Sequence, residues 1–375
     1  MRASLIPLTA LEPRDVERWR ELAEVALEPN PFFEPEYLLP QAGALGELDQ
    51  VALAVVTDGN AWSACMPIRR SRRWHRIPLP NSSTWRGHPT LPALIGTPLI
   101  SSVHGHEAAV ALVDSVVRSR GSLFSAFEWL VEDGPVYRAI CAAIAETGLR
   151  SLRFERFERA FLVRRPEGDY LERTIKANHR KNLRAQWRKL SQQLGGDLQI
   201  VDRAGEEAAA TELITMEGRS YLAERGTVLS SNPAHVRFFG EMCAAFAARG
   251  RLQLLALQAG GHTIAMKCNI LADPGIFTFK IAYDEAYAKF SPGMQIETAM
   301  FKLFHERHQA RWIDSCADAN NETMKRLLPD RRSLVTLTVV DPTIRAFATV
   351  PVIRGARYLR DRMNTAQTEL PASRE

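Results

Sequence analysis

The chain has 375 residues, 46% of them apolar and 24% charged, with five cysteines and a net charge of +5. At roughly 100–200 residues per domain, this length predicts two domains or one doubled fold. The five cysteines (Cys65, Cys141, Cys243, Cys268 and Cys316) form no C-x-x-C pair, which argues against zinc ribbons and disulfide scaffolds, and no metal site is expected.

The opening residues, MRASLIPLTALEPRD, lack the apolar core of a signal peptide. The long uncharged stretch Gly87–Gly105 is broken by three prolines and cannot be a membrane helix. A soluble, cytoplasmic chain is the expectation. Helical sequence at Arg14–Leu27 precedes residues 51–69, where two apolar runs flank Asp58-Gly59 and predict a β-hairpin. The segment 83–101 reads as a long Pro/Gly-interrupted loop with Trp85, Arg86 and His88 near its start, positioned to line a substrate groove. Helices are expected near Glu107–Arg120 and Tyr137–Thr147. A boundary follows at Arg164–Asp169, RRPEGD.

Residues 171–194, LERTIKANHRKNLRAQWRKLSQQL, carry Leu183, Trp187, Leu190 and Leu194 at helical spacing. The other faces hold Arg173, Lys176, Arg180, Lys181, Arg184, Arg188 and Lys189, so seven of the 48 basic residues fall in 17 positions. Like charges at this spacing repel one another, and their concentration suits a polyanion or a phosphate-bearing ligand. A helix-turn-helix partner, a zinc pattern and interleaved aromatics are all missing, so nucleic acid is not the expected partner.

Helices at Glu206–Arg225 and Asn232–Arg249 then lead to a second hairpin, residues 252–271, turning at Gly260-Gly261. Its likeness to the first predicts an internal duplication. A strand over Gly275–Tyr283, a polar connection Asp284–Phe290 and a helix over Gly293–His308 follow. Ser291 and Pro292 suit a helix start. Met294 stands where a capping box places Glu or Gln, which leaves first-turn N–H groups open to an anion.

The run GGHTIAMKCNI, FTFKIAYDEAYAKFSPG and RWIDSCADANNETMKRLLPDRRSL resembles the GNAT acyltransferase superfamily. More narrowly it is similar to the CelD/BcsL-like branch associated with cellulose biosynthesis, which is related to the Fem-type transferases. The resemblance covers about residues 165–340 and is faint over 30–160. It implies an α/β (α+β) fold of tandem GNAT-like domains, each a mixed, mostly antiparallel sheet flanked by helices. The units would be a degenerate domain at 1–165, the acyltransferase domain at 166–341 and a basic tail at 342–375. The implied reaction is acyl-CoA-dependent N-acylation, with acyl-CoA as a co-substrate rather than a bound cofactor. Its acceptor would be an amine of the cell envelope, either a lipid or sphingoid-type amine or an amino sugar of an exopolysaccharide.

On this resemblance Lys289, Phe290, Ser291, Gly293 and Met294 hold the donor pyrophosphate, in place of the usual glycine-rich loop with arginine or glutamine. Candidate catalytic groups are Asp314 as the first choice of base, Asp284, and Tyr283 as an acid; Glu285, Tyr287, His179 and His262 are further choices. Lys267, Lys280, His179, Arg180, Trp85 and Arg86 are candidate substrate contacts. Asp318, Asn320 and Asn321 either bind the acceptor or cap a helix starting near Glu322. Cys316 lacks a neighbouring base and reads as a small core residue rather than a nucleophile. The arginine-rich tail, TIRAFATVPVIRGARYLRDRM, is either packed or peripheral on the cytoplasmic face of an anionic inner membrane. The alternative to an enzyme is an inactive GNAT-fold regulator that binds a nucleotide or another anion.

Overall fold

Both expected hairpins are present in the computed structural model. Val51–Asp58 (β2) pairs with Ala61–Ser71 (β3), and Leu252–Ala259 (β9) with His262–Ala272 (β10). At the second turn Gly260 and Gly261 have φ of 55° and 79°, a region that favours glycine. The structure describes residues 1–74, 77–88, 91, 93–119, 121–220, 228–306, 309–342, 351 and 355. Nearly all of the basic tail, and with it the membrane-facing expectation, lies outside the described residues.

The first half runs β1 (Arg2–Pro7), α1 (Pro13–Glu24), α2 (Pro35–Leu45), β2, β3, β4 (Asn81–Thr84), β5 (Leu99–Ile100), α3 (Gly105–Val117), β6 (Phe124–Val131), α4 (Pro135–Glu146) and β7 (Arg150–Val163). Two further helices, α5 (Tyr170–Thr174) and α6 (Ala177–Leu194), lead into the second half. That half repeats the plan with β8 (Gln199–Asp202), α7 (Glu207–Gly218), α8 (Pro233–Ala248), β9, β10, β11 (Gly275–Tyr283), α9 (Pro292–Glu306), β12 (Trp312–Asp314), α10 (Glu322–Leu327) and β13 (Asp330–Val340).

All thirteen strands form one mixed sheet, in the order β1-β2-β3-β4-β6-β13-β7-β12-β11-β10-β9-β8, with β5 beside β3. The order has the same logic read from either edge. A hairpin leads to a strand that pairs in parallel with the strand after the next helix: β4 with β6 in one half, β11 with β12 in the other. Every other pairing among the described strands is antiparallel. The closing strands are exchanged. β13 completes the first half by pairing with β6, while β7 completes the second by pairing with β12, and the two pair with each other at the centre.

This exchange puts Arg159 of β7, Asp314 of β12 and Arg332 of β13 on one another at the seam. Asp314 is fully buried and accepts from Arg159 Nη2 at 2.6 Å and Arg332 Nη1 at 2.7 Å; its other oxygen accepts from the Cys316 N–H at 2.9 Å. Arg332 also lies over the rings of Phe161 and Trp312 at 4.1 and 4.2 Å. Burial alone would raise the Asp314 pKa, but the two guanidinium groups outweigh it and hold the carboxyl below its ordinary range.

Alternate side chains of β11 join different cores. Phe277, Phe279 and Ala282 pack with α7 and α8, whereas Ile276 and Tyr283 pack with α6 and α9. The single basic helix expected over 171–194 is broken at Ile175 and Lys176, where Ile175 turns into the core. Arg180 Nη1 fastens the break by donating to the Ile175 carbonyl at 2.6 Å.

Candidate active site

Parallel pairing of β11 with β12 covers only Gly275–Phe277 against Trp312–Asp314. Past that register, β11 runs on to Tyr283 with no described strand on this side, so the sheet splays. The opposite edge of β11 stays paired with β10, with a bulge between Cys268 and Asn269 that opposes an extra residue, Phe279. The splay opens a cleft of about 480 Å³, lined by Ile281–Tyr283, the turn around Ser291–Met294, Glu217 and Ser220 of α7, Glu297 of α9, and Asn321–Met324.

The turn at the mouth differs from expectation in detail. Ser291 does not start the helix from extended backbone. It has φ 54° and closes a 3-10 turn, Glu285–Phe290, by donating its N–H to the Ala288 carbonyl at 2.9 Å. Its own carbonyl accepts the first helical bond, from the Gln295 N–H at 3.0 Å. Pro292 has no N–H to place. Among the described residues no acceptor meets the N–H of Gly293 or Met294, so two donors and the positive end of a 15-residue helix face the cleft. A Cβ on Gly293 would sit 3.4 Å from the Tyr283 ring, so side chain and turn are already in contact there.

Two ion pairs, each with a buried carboxylate, flank the cleft from opposite faces of the sheet. Lys280 of β11 pairs with Glu217 of α7, whose second oxygen accepts the Leu229 N–H at 2.9 Å. Lys267 of β10 pairs with Glu297 of α9 at 2.7 Å. Glu297 is only 5% exposed, and its Oε2 has no hydrogen-bond partner among the described residues although the residue lines the cleft. Beyond Lys280 stand His235 of α8 and His88 of the 83–101 loop, with ring centroids 5.8 Å apart. Burial, then His88, then Lys280 push the His235 pKa down, which favours the neutral imidazole.

The cleft therefore gathers Tyr283, Glu285, Ser291, Gly293, Met294 and Asn321 from the expected set, with Lys280 and Lys267 behind its walls. Other expected residues lie elsewhere. Asp314 does not line the cleft: it is sealed in the seam, where two arginines hold its charge. Asp284 caps the 3-10 turn through the Ala286 N–H at 2.9 Å and lines a different cavity, with Thr211 and Thr263. Phe290 is a core residue, and Lys289 lies over its ring at 4.9 Å.

Trp85 is buried and donates to Glu47 at 2.9 Å; Arg86 bonds Glu128 at 3.1 Å and stacks on Trp129 at 3.7 Å. Both belong to the framework of the first half, not to the groove expected of their loop. Arg180 is taken up by carbonyls at the α5–α6 break, and His179 is exposed on α6. His262 is exposed at the start of β10. Asn321 caps α10 through the Met324 N–H at 3.0 Å, and Asp318 fixes the turn before it. Burial first, then Asp314, pushes the Cys316 thiol far up, so no thiolate is available there. Glu217 and Glu297 were not anticipated. Each sits on a buried helical stripe, Glu217 with Ala210 and Leu213, Glu297 with Phe301 and Phe304, and an acid on such a stripe is the signal that would have found them.

Residues 177–329 match the family described as an acetyltransferase (GNAT) domain. The fold of the whole chain, a mixed α/β fold on one large and mostly antiparallel sheet, is shared with solved structures of low identity. FemX superposes with a TM-score of 0.56 at 9% identity, over 90% of this chain and 97% of that one. A conserved protein of unknown function from Bacteroides thetaiotaomicron gives 0.56 at 9%, over 87% and 97%. The C-terminal domain (DUF2156) of a protein assigned as a lysylphosphatidylglycerol synthetase from Agrobacterium fabrum gives 0.51 at 10%, over 90% and 95%. At these identities the likeness is one of fold. No curated protein matches the chain. A GNAT domain implies, in general, an acyl-CoA-type donor, and the N–H groups with no acceptor among the described residues at the cleft mouth, together with the stretch of β11 that meets no described strand on that side, fit such a group.

Proposed function

We propose that the protein is an N-acyltransferase that moves an acyl group from a pantetheine thioester of the acyl-CoA type to an amine. The observation that carries this reading is the splay of β11 from β12, opening at the two unmet N–H groups of α9. Gly293 and Met294 receive a donor phosphate, and the amides of the pantetheine arm run along the free edge of β11. Glu297 Oε2 accepts an N–H or O–H of that arm, which relieves an otherwise unpaired buried oxygen.

On the opposite side, Glu217, with Lys280 fixing its orientation, receives the proton of the acceptor amine. The amine nitrogen attacks the thioester carbonyl, the C–N bond forms and the C–S bond breaks. The Tyr283 hydroxyl gives its proton to the departing thiolate and is reprotonated from solvent. A cell-envelope amine, either a lipid amine or an amino sugar, is the proposed acceptor; the name of the lysylphosphatidylglycerol synthetase relative points to lipid chemistry in one protein of this fold. Incubation with radiolabelled acyl thioesters and panels of lipid amines and amino sugars tests the proposal. A labelled amide that disappears in Glu217→Gln supports it; label that never leaves the thioester contradicts it.

A further inference from the structure

The basic helix α6 stands at the cleft mouth. Gln186 donates to the Lys289 carbonyl at 3.0 Å, and Gln295 of α9 donates to the Leu183 carbonyl at 2.8 Å. Of its cations and those just before it, Arg173 and Arg180 are paired with Asp169 and Glu172. Lys176, Lys181, Arg184, Arg188 and Lys189 are exposed and have no ion pair among the described residues. A groove of about 500 Å³ runs between α5, α6 and α9, with Leu171, Ile175, Leu183 and Trp187 along it and Arg184 and Arg188 on its rim. By contrast, the turn that would hold the donor phosphate is sparse: two N–H groups with no acceptor among the described residues, while Lys289 beside them lies over the Phe290 ring and does not line the cleft.

We infer that the thioester is delivered by an acidic, helical carrier protein that docks on α6, and not chiefly as free acyl-CoA. This inference rests on the acyltransferase reading above. A carrier-bound pantetheine brings a single phosphodiester, which two N–H groups suit; CoA brings a pyrophosphate and a further phosphate. The remaining cations then need another anionic partner. The 18 residues of α6 extend about 27 Å, the scale of a partner helix and longer than a nucleotide. Carboxylates of the carrier pair with Arg184, Arg188 and their neighbours, and its apolar side chains enter the slot beside Trp187. Docking of this kind is steered by charge and weakens with salt.

The test compares one acyl chain on purified acyl carrier protein and on CoA, using the full-length protein and Arg184→Glu/Arg188→Glu. The inference predicts kcat/KM at least about tenfold higher for the carrier thioester at low salt. The double variant loses that advantage through KM, keeps its CoA rate and unchanged melting, and is rescued by a carrier with lysines in place of its acidic helix residues. Equal use of the two donors, or equal damage to both rates in the variant, assigns the α6 cations to the CoA nucleotide and overturns the inference. Binding of anionic vesicles or duplex RNA through these arginines, with no carrier binding, overturns it as well. Turnover of CoA thioester alone refutes the carrier and leaves the acyltransferase reading standing; turnover of neither donor refutes both.

Discussion

Replacing Asp314 by asparagine separates a seam residue from a catalytic one. The carboxylate is fully buried and holds Arg159, itself 1% exposed, and Arg332 through bonds of 2.6 and 2.7 Å. The amide keeps the shape and removes the charge, which leaves two buried guanidinium groups facing each other without a counter-ion. Breaking a buried pair in this way costs about 3–5 kcal/mol. At roughly 2 °C per kcal/mol for a long chain, melting falls by roughly 6–10 °C.

The effect has a sign in pH. Because the folded pKa of Asp314 lies below its ordinary value of 3.8, its stabilisation is complete above that value. It is lost as pH falls through the lower folded value. The gap between wild type and Asp314→Asn is therefore constant from neutral pH down to about pH 5 and closes in stronger acid. Thermal melting monitored by circular dichroism, with activity measured on the folded fraction, reads both quantities. A variant that melts like wild type yet has lost about a hundredfold or more of its kcat would refute the structural assignment and return Asp314 to the chemistry.

Further outcomes follow from the cleft. Gly293→Val puts a branched side chain against Tyr283 and over the two free N–H groups, so the donor KM rises about tenfold, the loss of one charge-assisted bond, with melting little changed. Tyr283→Phe lowers kcat and leaves donor affinity intact, as single-turnover kinetics can separate. Glu297→Gln strands the buried Lys267 and destabilises the fold by about 3 kcal/mol. The apolar pair Lys267→Met/Glu297→Leu restores melting but not donor binding, which calorimetric titration with CoA distinguishes.

Both glycine-turned hairpins and most helices could be read from the sequence, because each depends on local spacing of apolar residues. β7 and β13 could not, and neither could their exchange. The run RSLRFERFERAFLV mixes arginines and phenylalanines because β7 lies between β13 and β12, with Arg159 turned inward on Asp314. No local rule marks that partner, which is 155 residues away. The same cause misdirected the reading of Asp314: an acid ending a buried strand does need a reason, and the reason is the pair of arginines. The helix start at Pro292 was legible because proline carries that geometry locally, whereas the positive φ of Ser291 was not. The cleft walls were less legible, since Glu217 and Glu297 are meaningful only beside Lys280 and Lys267 on strands reached through the fold.

Amide hydrogen exchange with and without CoA reads the cleft residue by residue. Bound CoA slows exchange at Gly293 and Met294 and along the splayed end of β11 from Lys280 to Tyr283, with no change around Asp314. Unchanged exchange at these amides at saturating CoA, or protection confined to another part of the sheet, would contradict donor binding in the cleft.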